Sequence, residues 1–137
     1  MPGVSSKDCS PCSSPRALGR IGEELAAAHL VRRGFTIVAR NVRTRHGEID
    51  LIAHGDAALV FVEVKTRRAS AGAPLAIEPL AGLRTQQRAR LRRLAAAWLS
   101  ESSAKRPTAR DIRFDAIGVT LDARDRLMRL DHLEDAW

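Results

Sequence analysis

Apolar and polar side chains alternate most clearly in two neighbouring segments, residues 47–53 and 60–67. A period of two and a high content of β-branched residues predict two β-strands. The short segment between them contains a glycine and an aspartate and is typical of a hairpin turn. In the first strand, alternation predicts two faces, one with Ile49, Leu51 and Ala53 and the other with Glu48, Asp50 and Ile52.

The length of the turn decides how the acidic side chains of this hairpin meet. A four-residue loop pairs His54 with Leu59. This register sets Asp50 directly opposite Glu63. A two-residue turn at residues 55–56 makes the same carboxylates diagonal neighbours, roughly 7 Å apart at Cα. In either register the two acids lie close together on one face.

Facing carboxylates on a largely apolar hairpin carry a cost. Like charges opposite each other destabilise a strand pair by roughly 0.2–1 kcal/mol, and burial raises this cost unless a cation neutralises them. One interpretation is a solvated face on which Glu48 and Lys65 form an ordinary cross-strand ion pair. The interpretation that we favour is a hard-cation site, in which carboxylate oxygens are the ligands and a lysine lies beside them.

Helical spacing predicts a first helix over residues 18–33. Gly34 follows a basic last turn, as expected at a helix end. Glu23 and Glu24 lie in the first two turns, where the helix dipole also favours acids. The spacing alone does not decide which of the two glutamates leans over a neighbouring sheet. The apolar positions at helical spacing are Leu18, Ile21 and Leu25.

A second helix is predicted over residues 84–99, with a core face of apolar residues. Much of its remaining surface is basic, with few acids to offset the charge. Such charges are either a solvent-facing surface or a phosphate-binding surface, and so many of one sign favour phosphate binding. The core face has Leu91, Leu94, Ala95, Trp98 and Leu99, and the arginines are Arg84, Arg88, Arg90, Arg92 and Arg93.

Further strands are predicted at residues 35–40, 112–119 and 126–133, with the last two paired. Asp115 shares a strand face with Arg113. It is either a further carboxylate near the site or, as we favour, a surface acid paired with that arginine.

Residues 41–46 are predicted to form a basic loop immediately before the acidic hairpin. Its charged residues are either solvated loop charges or groups that hold phosphates while the carboxylates hold the cation. The loop contains Arg43, Arg45 and His46.

Composition narrows the class of partner. The 137 residues include 23 Lys and Arg against 16 Asp and Glu, a net charge of +7, with arginine predominant. Arginine binds phosphates through two hydrogen bonds, so an anionic polymer is favoured over a membrane surface. Aromatic residues make up 4% and tyrosine is absent, which argues against base stacking as the main binding mode. No long apolar run or basic signal segment occurs, so we expect a cytoplasmic protein without membrane contact.

The first residues differ in composition from the rest of the chain. Residues 1–15 are rich in serine and proline and are predicted to be a disordered arm. Cys9 and Cys12 form a Cys-x-x-Cys motif without a second cysteine pair or histidines at zinc-finger spacing, so a metal or redox role is the less favoured interpretation. Residues 16–137 are long enough for one domain with its own core.

The motifs together resemble the Asp…Glu-x-Lys core of the restriction-endonuclease-like nucleases. More narrowly, residues 18–119 resemble the YraN family of small predicted endonucleases, distant relatives of archaeal Holliday junction resolvases. An Asp…Glu-x-Lys pattern alone would be weak evidence for this resemblance, whereas the combined set of motifs in this order is specific to the family. The set is Gly22-Glu-Glu, Gly34-Phe35, Asn41-Val-Arg43, Gly47-Glu-Ile-Asp-Leu-Ile, Phe61-Val-Glu-Val-Lys-Thr-Arg67 and Arg113-Phe-Asp115.

The resemblance implies an α/β fold, a restriction-endonuclease-like α/β/α sandwich with a central mixed β-sheet. It implies that Asp50 and Glu63 bind Mg²⁺ or Mn²⁺, helped by the Val64 carbonyl. Lys65 would orient or deprotonate the attacking water, or stabilise the pentavalent phosphate. Glu23 matches the helix glutamate that approaches the metal in related nucleases.

By the same resemblance, residues 16–137 would be a nuclease-like domain, a metal-dependent endonuclease that hydrolyses phosphodiester bonds in branched or damaged DNA. A homodimer is expected by analogy with resolvases, which need two active sites. The alternative is a non-catalytic nucleic-acid-binding accessory protein, because Gln86 or Gln87 stands where family members often carry a lysine. A weaker third hypothesis is a structural partner of another protein. The nucleic-acid-binding residues expected are Arg43, Arg45, His46, Arg67, Arg88, Arg92 and Arg93.

Overall fold

The computed structural model describes residues 14–69, 85–101 and 109–136, without the side chains of residues 85–88. The elements are α1 (Pro15–Arg32), β1 (Thr36–Thr44), β2 (Gly47–Gly55), β3 (Ala58–Arg68), α2 (Thr85–Glu101), β4 (Asp111–Leu121) and β5 (Leu127–Leu133). The predictions for the arm before Ser14, for its two cysteines and for the side chains of Gln86, Gln87 and Arg88 lie outside this description.

The five strands form one sheet in the order β1-β2-β3-β4-β5. All neighbours are antiparallel except β3 and β4, which are parallel. Parallel neighbours need a crossover connection, and α2 lies in the segment that joins them. The predicted mixed sheet is confirmed.

Two buried clusters lie on opposite faces of this sheet. Alternate residues of β3 divide between them, because Val60 and Val62 pack with α1 while Leu59 and Phe61 pack with α2. Each helix therefore covers one face, and the predicted α/β/α sandwich is confirmed. Within the described ranges, no helix is long and apolar enough to cross a membrane.

Helix α1 has clear signals at both ends. The Ser14 hydroxyl accepts a hydrogen bond from the Ala17 backbone N–H at 3.1 Å, and Pro15 occupies the first turn, as is common at helix starts. The helix ends at Arg32, and Gly34 has a φ of +96°, the left-handed conformation that glycine adopts readily.

Gly22 allows α1 to lie directly against β3. A Cβ atom at this position would be 1.8 Å from Oγ1 of Thr66 and 2.8 Å from its Cβ. The residue is buried, and it immediately precedes the predicted site residue Glu23. The close approach therefore sets the distance of Glu23 from the sheet.

Gly22→Ala is expected to destabilise the fold by about 1–3 kcal/mol, since an added methyl in a packed contact forces the backbone to shift. Gly19→Ala is the matched control, because nothing lies within 4 Å of its added Cβ and alanine favours a helix interior. Urea unfolding of both variants tests the contact. Equal effects of the two substitutions would contradict it.

Strand β1 is longer than the sequence predicted. It runs to Thr44, and its pairing with β2 continues to Thr44↔Gly47. The prediction of a basic loop over residues 41–46 is therefore wrong for residues 41–44, and only Arg45 and His46 form the turn. The cross-strand pairing, which the local composition did not reveal, extends the strand.

The prediction that Ile49, Leu51 and Ala53 share one face of β2 is also wrong, at Ile49. Ile49 packs with Ile52 on the α2 side, whereas Leu51 and Ala53 pack on the α1 side. Across from this departure, Asn41 on β1 has a left-handed φ of 49°. The local distortion of the strand pair removes the simple two-residue period there.

Asp115 is buried, so the prediction of a surface acid is wrong, although its predicted pairing with Arg113 is confirmed. Its carboxylate accepts hydrogen bonds from Arg113 at 2.9 Å, from His132 Nε2 at 2.8 Å and from the Asp135 backbone N–H at 2.9 Å. Burial alone would raise its pKa, but these donors together outweigh it and lower the pKa of Asp115 below its ordinary value. The carboxylate is thus a charged, fully partnered group of the core.

His132 extends this network to α1. Its Nδ1 lies 3.0 Å from Nε2 of His29, so a neutral His132 that donates to Asp115 accepts from His29. Burial, followed by the charges of His132 and nearby arginines, lowers the pKa of His29. The network connects β4, β5 and α1 by polar contacts.

Candidate active site

The hairpin register agrees with the first of the two predicted alternatives. His54 pairs with Leu59, although the turn itself consists of Asp56 and Ala57 with φ values of 52° and 62°. Left-handed φ values at both central residues are typical of tight hairpin turns. This register directs Asp50 towards Glu63.

Strands β2 and β3 separate before they reach these acids. Their pairing ends at Leu51↔Val62, while β2 continues along β1 and β3 continues along β4. We call this divergence, bounded by Asp50 on β2 and Glu63 to Lys65 on β3, the β2–β3 fork. The fork is therefore a gap within the sheet, between β2, which stays paired with β1, and β3, which stays paired with β4.

The Asp50 carboxylate bridges the β2–β3 fork. Its Oδ2 accepts a hydrogen bond from the Val64 backbone N–H at 2.8 Å. This N–H points towards β2 where the strand pairing has ended, so the side chain takes the place of a ladder acceptor. The N–H and C=O of one strand residue face the same neighbour, and the Val64 carbonyl therefore also points into the fork.

Glu63 and Lys65 lie together on β3. The Lys65 ammonium is 3.2 Å from Oε2 of Glu63. The Lys65 side chain is 38% exposed and that of Glu63 is 20% exposed. Glu48 lies 4.0 Å from Arg43. Among the described residues, Lys65 therefore pairs with Glu63 on its own strand rather than with Glu48 across the hairpin.

The structure decides between the two glutamates of α1. Glu24 extends to Arg40 at 3.1 Å and is largely exposed. Glu23 points instead towards the fork, where its carboxyl group is within hydrogen-bonding reach of Asn41 and Asp50. Burial, followed by the charge of Glu48, raises the pKa of Glu23 against these hydrogen bonds.

Asp50 is the most strongly perturbed acid of the site. Burial, followed by the negative charges of Glu63, Glu23 and Glu48, raises its pKa from 3.8 to about 7. The hydrogen bond from Val64 opposes it only in part. A buried carboxylate among other carboxylates favours either a proton or a cation.

The donor set fits a hard divalent cation. Carboxylate and carbonyl oxygens are the ligands that Mg²⁺ and Mn²⁺ prefer, and Asp50, Glu63 and the Val64 carbonyl offer these atoms. In the part of the chain that the structure describes, no group of three or more His, Cys, Asp or Glu side chains could hold a metal ion alone. A bound ion would therefore also need the backbone carbonyl and ligands from water or substrate.

The predicted basic residues occupy several surfaces. Arg45 and His46 of the β1–β2 turn line one groove together with Arg93 of α2. Arg92 is exposed and lies over the Phe114 ring at 5.6 Å. Arg67, at the end of β3, is partly buried and already has an interaction partner.

A second groove adjoins the acids on the α1 side. It has a volume of about 440 Å³ and is lined by α1, β1 and β2. Sequence reasoning named Arg43, Glu23 and Glu48 from this groove but missed Arg16, Arg20 and Asn41. The spacing of four between Arg16 and Arg20, which places them on one helix face, was the available signal.

The fold and this arrangement define an α/β/α protein with a carboxylate-rich cleft between diverging strands. The chain belongs to the uncharacterised protein family UPF0102, whose family model matches residues 22–119. The matched region contains the whole fork and Glu23, whereas Arg16 and Arg20 precede it.

Similar proteins carry the same family name. A UPF0102 protein of Acidothermus cellulolyticus is 45% identical over 114 residues, which cover 78% of this chain and 83% of the relative. A UPF0102 protein of Parafrankia is 46% identical over 88% of this chain and 95% of its own length. A third, from Pelotomaculum thermopropionicum, is 41% identical over 89% and 96% of the two chains.

Proposed function

We propose that this protein is a metal-dependent nuclease that hydrolyses phosphodiester bonds of DNA, with branched or damaged DNA as the preferred substrate. The observation that carries the proposal is the β2–β3 fork, where Asp50, Glu63 and Lys65 meet Glu23 beside arginine-lined grooves. The resemblance to resolvase-like nucleases supplies the preference for branched DNA and a homodimer as the working form.

In this proposal Asp50, Glu63 and the Val64 carbonyl hold Mg²⁺ or Mn²⁺. The bound ion would polarise the phosphate and lower the pKa of a bound water. Asp50 is positioned by the Val64 N–H, and Glu23, which interacts with Asp50, would orient that water. The attacking water would give up one proton to solvent as its oxygen forms the new bond to phosphorus, the bond to the sugar oxygen would break, and that leaving oxygen would take a proton from a solvent water.

Lys65 contributes a positive charge beside Glu63. Its ammonium is partly exposed, so it can contact an oxygen of an incoming phosphate while it also holds the Glu63 carboxylate in place. In this role it stabilises the additional negative charge of the pentavalent phosphate. Lys65→Ala would then reduce turnover more than metal binding.

The direct test is metal titration by calorimetry together with cleavage of a branched DNA, for wild type and Asp50→Asn. Cleavage is expected to fall about a thousandfold or more, because the metal contributes several kcal/mol to transition-state stabilisation. Metal binding is expected to weaken in parallel. Glu24→Gln, which removes an exposed charge from the same helix as Glu23, is the matched control. Cleavage by Asp50→Asn at the wild-type rate would refute the proposal.

A non-catalytic nucleic-acid-binding protein is the second candidate. Two observations favour it: no described group of three acidic or histidine side chains could hold a metal, and Gln86 and Gln87 occupy the place of a lysine common in the resembled family. In that case the protein would bind DNA with a steep salt dependence. Titration with Mg²⁺ would then give no heat that depends on Asp50, and no cleavage would follow.

A further inference from the structure

The α1-side groove combines arginines from two elements with the acids of the fork. Arg16 and Arg20 come from the first turns of α1 and Arg43 from the end of β1, while Glu23 and Glu48 line the same groove. Positive and negative groups thus occupy one cleft of about 440 Å³. Pockets of this size accommodate a small molecule or one unit of a polymer rather than a whole duplex.

The arginines of this groove are available to a ligand. Arg16 and Arg20 are both exposed, and the charge of Arg20 acts on Glu23 of the same groove. Arg43 is 82% exposed and has only a long contact of 4.0 Å with Glu48. Other arginines of the chain are engaged more closely, such as Arg33, which is 2.8 Å from Glu134.

The two charge types indicate how a ligand would lie. A phosphate next to Glu23 and Glu48 would be repelled unless a cation lay between them, whereas phosphates further along the groove would meet guanidinium groups. Arginine forms bidentate hydrogen bonds with phosphate. The arrangement suits a chain of phosphates in which one is next to the acids and its neighbours contact the arginines.

We infer that Arg16, Arg20 and Arg43 form a phosphate-binding subsite that holds one nucleic-acid strand on the α1 side of the acidic cleft. The inference rests on the proposed function. It adds the direction in which the nucleic-acid strand leaves the acidic cleft, which is along α1 towards the first turn of that helix. This subsite is separate from the groove of Arg45, His46 and Arg93, which lies against α2.

The test compares Arg16→Ala/Arg20→Ala with the charge-matched control Arg32→Ala/Arg124→Ala. The control arginines are exposed, and they lie outside the groove, Arg32 at the other end of the same helix. Binding of a short fluorescent DNA single strand and of the corresponding duplex is measured in EDTA over a series of salt concentrations. EDTA prevents metal-dependent turnover, so only binding is observed.

The groove variant is expected to bind the single strand at least about tenfold more weakly at low salt. Its slope of log affinity against log salt should fall in magnitude by about 1.4, the value for two lost contacts to a single strand. The control should retain both affinity and slope. If the groove variant lost affinity only for the duplex and bound the single strand as wild type does, the proposal that one strand runs through the groove would be wrong.

Neutral methylphosphonate substitutions in the strand provide a second readout. One substituted position should weaken wild-type binding and have no further effect in the groove variant, because the contact is already lost. Equal behaviour of groove variant and control would overturn the subsite. That result would not contradict the proposed hydrolysis, because cleavage depends on Asp50. Conversely, a protein that binds the strand through this groove but does not cleave it would contradict the hydrolysis and support the subsite.

Discussion

Asp50→Asn is expected to stabilise the metal-free protein at pH 8 by up to about 4 kcal/mol. The fold raises the pKa of Asp50 from 3.8 to about 7, and each tenfold change in proton affinity corresponds to about 1.4 kcal/mol. Asparagine retains an oxygen that can accept the hydrogen bond from Val64 and removes the repulsion by Glu63. The gain in stability would accompany the loss of cleavage.

The pH dependence gives the sign of this effect. Between about pH 4 and pH 7 the folded protein binds more protons at Asp50 than the unfolded chain does, so wild-type stability falls as pH rises through this range. The advantage of Asp50→Asn should therefore be present above pH 7 and absent below pH 4. Urea unfolding in EDTA at both pH values measures it.

Two further measurements separate a cation site from ordinary charge removal. Glu24→Gln removes one exposed carboxylate and should change stability by no more than about 0.5 kcal/mol at either pH. Saturating Mg²⁺ should stabilise wild type, by about 2.7 kcal/mol at a hundred times the dissociation constant, but should not stabilise Asp50→Asn. An Asp50→Asn variant less stable than wild type at pH 8 would contradict the proposed repulsion among the carboxylates.

Asp115→Ala is expected to destabilise the fold by about 3–5 kcal/mol, because it leaves buried donors without their acceptor. The side chains affected are those of Arg113 and His132, which are 19% and 4% exposed. The backbone N–H of Asp135 also loses its partner. The polar contacts that link β4, β5 and α1 depend on this carboxylate.

Asp111→Asn is the control for Asp115, since it removes an exposed carboxylate from the same strand and should change stability by no more than about 0.5 kcal/mol. Asp115→Asn keeps the shape of the side chain but not its charge, so its stability should lie between those of Asp115→Ala and Asp111→Asn. Urea midpoints measure all three variants. Calorimetric titration with Mg²⁺ should be unchanged in the folded Asp115→Asn protein, and a loss of metal binding there would assign Asp115 to the site instead.

The sequence alone determined most of the fold. Local periods of two and of 3.6 residues predicted the strands and both helices, and Gly34 predicted the end of α1, because these features depend on neighbours a few residues apart. The sequence left two hairpin registers open, but both set Asp50 and Glu63 close together on one face, so the approach of these two acids was predictable.

Only the tertiary structure decided which charged groups the cleft contains and in what state. Glu23 rather than Glu24 faces the fork because α1 packs closely against β3 at Gly22. The pairing of β1 with β2 up to Thr44 extended a strand where basic residues suggested a loop.

Asp115 shows the same limit most clearly. Its burial depends on His132, which is 17 positions away in the sequence, and through it on His29, a further 103 positions from His132. The high pKa of Asp50 likewise arises from acids that three separate elements bring together. Local pattern determines secondary structure, whereas the burial and ionisation of a side chain depend on every element packed around it.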